Sequence, residues 1–211
     1  MNKLSILTAA LVLSGAAFAA DPAQGTSRSL TDLAPKDEKA MAEALHHANQ
    51  SEIRLGKLAQ QKGQSQAVKR FGQMMVTDHQ KADQELLSLA RTKGWKLADE
   101  PTATNQTERV MMAADKANEA RLNALDGPLF DSAYLSMMVD DHDVDIMKVA
   151  LGAKQFEGSE LGKQLTRLLP TLEQHRQHAY QALGEVKPNP EALGMGGAGS
   201  AGQRRELKQP R

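Results

Sequence analysis

Cysteine is absent from the 211 residues. No disulfide, no catalytic thiol and no lipid-anchoring Cys is therefore available, and stability has to come from packing alone. Aromatics make up only 3% of the chain, and Lys+Arg and Asp+Glu balance at 26 each. A neutral chain is a poor fit to the electrostatic footprint of a nucleic-acid partner. Beyond the extreme N-terminus no apolar stretch reaches bilayer-spanning length, so no transmembrane anchor is expected. There is no Gly-rich phosphate loop, no Ser nucleophile elbow and no His-Glu-x-x-His, which tilts the reading away from an enzyme.

What is present falls into blocks. Lys3 precedes an apolar run from Leu4 to Ala17, broken only by Ser5, Thr8, Ser14 and Gly15. Ala17-Phe18-Ala19 fits the small-x-small rule, so residues 1–19 read as a signal peptide cleaved near Ala19, and the mature chain as periplasmic or secreted. Residues 20–36 read as a polar linker. Residues 186–211 carry Pro188, Pro190, a Gly-Ala-Ser run and several basic residues, and read as a disordered tail. A basic tail of this kind permits weak association with an anionic envelope surface.

Between linker and tail, 37–185, strong helix formers dominate. Apolar residues recur every three or four positions over about 37–62 (Met41, Leu45, Ala48, Leu55, Ala59) and 65–93 (Val68, Phe71, Met75, Ala82, Leu86, Leu89). The same period runs over 128–153 (Phe130, Tyr134, Met138, Ile146, Val149) and 159–184 (Leu161, Leu165, Leu168, Leu172, Ala179, Leu183). Gly63 and Ser65 separate the first pair, and Gly158 and Ser159 the second; connections this short force antiparallel neighbours. A long crossover joins the two pairs and contains a further helix over about 107–125. The expected fold is all-α, an antiparallel four-helix bundle of ferritin-like arrangement with an extra helix in the crossover. Pro170 is expected to bend the last helix near Thr166, and Trp95 to plug one end of the bundle. Phe71-Gly-Gln-Met-Met-Val-Thr-Asp-His79 echoes Tyr134-Leu-Ser-Met-Met-Val-Asp-Asp-His142, through either duplication or shared packing demands.

Each inward stripe has one ionisable residue where an apolar one belongs: Glu52, His79, His142 and His175. Counted from the two turns, their depths agree to a layer about 6 Å thick at about 1.5 Å per residue. Three imidazoles and a carboxylate suit zinc, copper, iron or nickel. Asp83, Asp145 and His178 lie three or four positions further along the same faces and are the expected supports of such a site. Asp78 and Asp141, each preceding a His, point partly sideways. The alternative is a non-catalytic structural or stress-related envelope protein whose Glu/His layer only fixes packing and register. His46 and His47 read as surface residues, and the paired methionines 74–75, 111–112 and 137–138 as core filler.

Several of these segments also carry a resemblance. Ser51-Glu-Ile-Arg-Leu-Gly-Lys-Leu-Ala59, Val68-Lys-Arg-Phe71 with Met75-Val-Thr-Asp-His79, Phe130-Asp-Ser-Ala-Tyr-Leu135 with Met138-Val-Asp-Asp-His142, and Leu169-Pro-Thr-Leu-Glu-Gln-His175 resemble the four helix motifs of one family. It is the bacterial exported family known as domain of unknown function 4142, often labelled an outer-membrane protein. The resemblance spans about 40–184. It implies a ferritin-like bundle and an envelope location, and no particular activity. The membrane label is at odds with a chain that shows no alternating barrel strands. Val76, Val139 and Leu172 stand three before each His, so the Glu-x-x-His pattern of di-iron proteins is broken.

Overall fold

The structure, a computed structural model, describes residues 35, 37–100, 102–103 and 106–186. The segments expected to be a signal peptide and a disordered tail beyond Val186, and almost all of the expected linker, lie outside the described residues. Within them the chain is all-helical: α1 (Glu38–Lys62), α2 (Gln66–Thr92), α3 (Gln106–Ala124), α4 (Gly127–Gln155) and α5 (Glu160–Glu185).

Short polar residues start three of these helices by satisfying a first-turn N–H that has no partner inside the helix. The side chains of Asp37, Ser65 and Ser159 accept from the backbone N–H groups of Ala40, Val68 and Gly162. Gly94, just past α2, has φ +68°, a conformation other side chains rarely adopt. α5 continues without a break through Pro170, which lies on its exposed side.

Packing joins α1 to α2, α2 to α5, α5 to α4 and α4 to α1, closing a ring. The pairings fix direction. Glu38 meets Lys93 and Gly56 meets Gly72, so α1 and α2 run oppositely. Gly152 lies against Leu165 and His142 against His175, so α4 and α5 do too. Met41 touches the Gly152 position and Lys62 pairs with Asp126, reversing α1 against α4. The crossover helix α3 inserts Leu122, fully buried, beside the α1–α4 seam, where Lys62 Nζ donates to the Leu122 and Asn123 carbonyls.

It follows that α2 and α4 are diagonal and parallel, and they meet across the bundle axis. Phe71 and Tyr134 touch edge-on at 6.0 Å, and the rings of His79 and His142 are also 6.0 Å apart. The echoed nonapeptides therefore lie side by side at equal height. A duplicated hairpin would relate α2 to α5, each the second helix of its pair. The echo relates α2 to α4 instead, which is the relation that shared packing demands produce.

The apolar core comes in two clusters. One gathers Leu55, Phe71, Met75, Phe130, Tyr134 and Met138 toward the α1–α2 turn. The other gathers Met41, Leu86, Val149, Leu161 and Leu165 at the far end, with Trp95 against it as expected. Between them lies a buried polar slab: His46, Asn49, Glu52, His79, Asp83, His142 and His175.

Candidate metal centre

Three of the four residues singled out from the stripes converge. One ring nitrogen from each of His79, His142 and His175 lies within 4.8 Å of the other two. They come from α2, α4 and α5, and none is more than 5% exposed. The closest approach is His142 Nε2 to His175 Nδ1, 3.3 Å. Two imidazole nitrogens each about 2.0 Å from one tetrahedral ion stand about 3.3 Å apart.

The outer nitrogens determine what the inner ones present. His142 Nδ1 faces the Met138 carbonyl at 2.7 Å, an acceptor only, so this nitrogen carries the proton. His175 Nε2 faces the Asp78 carboxylate at 2.9 Å and donates to it. His79 Nδ1 faces Asn49 Oδ1 at 2.9 Å and donates in turn. With every outer nitrogen protonated, the inner atoms His79 Nε2, His142 Nε2 and His175 Nδ1 are bare lone pairs. His79 Nε2 is buried and has no hydrogen-bond partner. Three lone pairs turned on one another repel, and a shared cation removes that repulsion. Metal-ligating histidines characteristically donate their second N–H to a carboxylate or carbonyl in this way.

Protonation states agree with the geometry. Burial holds His79 well below the ordinary imidazole range, helped by repulsion from His175 and His142. Burial, then His175, brings His142 down to about 4, against the pull of the Met138 carbonyl. Burial also lowers His175, opposed by its bond to Asp78. All three are neutral at pH 7, the form that ligates.

Glu52 reaches the slab but not the triad. It is fully buried on α1, and its carboxyl is outside the group of mutually close nitrogens. Burial, then the neighbouring Asp141, Asp145 and Asp115, raises it well above the carboxylate range. Glu52 Oε2 and the Tyr134 hydroxyl have no hydrogen-bond partner. Asp141, raised to about 7 mainly by burial and next by Asp145, belongs to this carboxylate group rather than to the triad.

The expected supports are placed differently. Asp83 is buried but holds α1, accepting from Gln50 Nε2 at 2.7 Å and pairing with His46 Nδ1 at 2.6 Å. His46 is accordingly a core residue, 6% exposed, and not a surface one. Asp145 pairs with Lys148 at 3.7 Å. His178 is exposed, its Nδ1 3.2 Å from Met74 Sδ. The support on α2 is Asp78, half-exposed and one position before His79. Its sideways direction is what carries it to His175 on α5. Asn49 was missed: a single Asn in a helix carries no periodic signal, and only its place one turn before Ile53 and two before Gly56 marks the buried face.

An all-helical chain with a buried three-imidazole cluster is thus the class that fold and site define. The sequence model of a family described as a domain of unknown function (DUF4142) matches residues 21–182, and the chain belongs to that family. No curated protein and no solved structure matches it.

Proposed function

We propose that this protein is an exported, non-catalytic binding protein that holds one transition-metal ion through His79, His142 and His175. The observation that carries this is the hydrogen-bond arrangement: each outer nitrogen donates to a fixed acceptor, and three lone pairs are left converging in a buried slab. Export is supported by Lys3, the apolar run 4–17 and the Ala17-Phe18-Ala19 motif. N-terminal sequencing of the protein recovered from the periplasm tests it, with a start at Ala20 or Asp21 expected.

Metal content of the untagged mature protein tests the site. About one ion per chain is expected, with added ion at 100 times its Kd raising stability by about 2.7 kcal/mol. His142→Ala loses both effects. The competing reading, a polar layer that only fixes register, draws on the bonds that tie His79 to α1 and His175 to α2. It expects a metal-free protein whose melting ignores every ion, and that result would overturn the metal reading.

A further inference from the structure

Four carboxylates gather outside the triad and take no part in it. Asp141 and Asp145 are one turn apart on α4 and share a face. Glu52 approaches them from α1, and the charges acting on its carboxyl are Asp141, Asp145 and Asp115. Asp115 comes from the crossover helix α3. Lys148, 3.7 Å from Asp145, offsets one of the four, and His47 faces Asp115.

Two buried atoms set this group apart from an ordinary acidic surface. Glu52 is 4% exposed, and its Oε2 has no hydrogen-bond partner. Tyr134 is fully buried with its hydroxyl equally unpartnered, and the charges acting on it are Glu52 and Asp141. Bare polar atoms at this depth are costly, and they point to a ligand.

The crossover helix leaves room for one. Its covered stripe is Met112, Asn118, Glu119 and Leu122, and Asp115 falls in the middle of it. Asp115 is nevertheless exposed, so α3 stands off the bundle at that level. Leu122 is the one buried side chain among those described on α3. The donors are all oxygen, which suits Ca²⁺ or Mg²⁺ rather than a transition metal. Among the described residues, only the three imidazoles bring three donors within 4.8 Å of one another. The seam carboxylates stand wider apart, so an ion between them keeps part of its water shell, as both of these ions do at protein sites.

We infer that the seam between α1, α3 and α4 binds a partly hydrated Ca²⁺ or Mg²⁺ ion through Glu52, Asp115, Asp141 and Asp145, and that this ion draws α3 onto the bundle. The site is separate from the triad and does not depend on its loading.

The test is calorimetric titration of the untagged mature protein with CaCl₂ and with MgCl₂, paired with hydrogen exchange of the α3 amides. At least one ion should bind with a Kd of about 10⁻⁴–10⁻³ M, the range of extracellular calcium modules, and should slow exchange in α3. Affinity follows the number of charged ligands, so Asp115→Asn and Asp145→Asn should each weaken binding about tenfold. Asp115→Asn should also remove the change in α3 exchange. Glu85→Gln, on the α2–α5 side of the bundle, should leave both readouts unchanged. Failure of both ions to bind would overturn the site. Equal weakening by Glu85→Gln and Asp115→Asn would reduce the binding to diffuse surface charge and overturn it as well. Binding that leaves α3 exchange unaltered would overturn the clamping of α3.

Discussion

Acidification of the metal-free protein should destabilise it, in part through His142. The ring is buried, and burial holds its pKa at about 4, below the ordinary imidazole value of 6.5. Below pH 6.5 the unfolded chain takes up a proton that the native ring refuses, so stability falls as pH falls until about 4. At about 1.4 kcal/mol per pH unit, the gap between 6.5 and 4 sets a loss of about 3 kcal/mol from this ring alone. That is a large part of a typical 5–15 kcal/mol. The assay is urea denaturation of chelator-treated wild type and His142→Gln, from pH 7.5 to 4.5. Gln retains a donor for the Met138 carbonyl but does not titrate. The stability difference between the two proteins should be constant above pH 7 and shift by about 2.5 kcal/mol by pH 4.5, against the wild type. A difference that stays flat across the range would refute the claim that this histidine is held neutral by burial.

Asp141 works in the opposite sense. Its folded pKa, raised from 3.8 to about 7, means stability declines as pH rises through that window, by an upper bound of about 4 kcal/mol. Asp141→Asn should therefore stabilise at pH 8 and leave pH 4 unaffected, read by parallel thermal melts. Gly72→Ala places a methyl 2.7 Å from the Gly56 carbonyl oxygen and 2.9 Å from Ala59 Cβ, and should cost about 1–3 kcal/mol by forcing α1 from α2. Asp131, buried on α4, accepts from the backbone N–H groups of Gln64 and Ser65 at 2.8 and 2.7 Å. Asp131→Ala strands two donors and should cost about 3 kcal/mol by urea melt, with Asp131→Asn in between.

The number of helices and their bounds were legible because apolar spacing marks each bundle helix and Ser65 and Ser159 cap the second helix of each hairpin. The histidines were legible as interruptions of those stripes. The finer placement was not. The stripe through Met41, Leu45, Ala48 and Glu52 follows the most apolar letters of α1. The buried face is centred between that stripe and the next: Ala42, His46, Asn49, Ile53 and Gly56 are buried together with Met41, Glu52, Leu55 and Ala59. Gly56 explains the rotation: it must face Gly72 where the two backbones cross, and a glycine adds nothing to an apolar count. The same rotation puts Asp83 rather than Ala82 inward and turns His46 into its partner. Hydrogen bonds between helices, such as Asp78 to His175 or Asp131 to the α1–α2 turn, depend on which helices are neighbours around the ring. That order is a tertiary fact that no local window contains.

The triad draws one histidine from the first hairpin and two from the second. Neither hairpin alone holds three of these donors, so the proposed coordination would belong to the docked pair. A chain cut in the crossover would yield two fragments, each nearly indifferent to metal, whose mutual recognition the ion would strengthen. In the intact protein an ion held as proposed would act as a latch: it would oppose separation of the two hairpins, and its departure would loosen the seam between them.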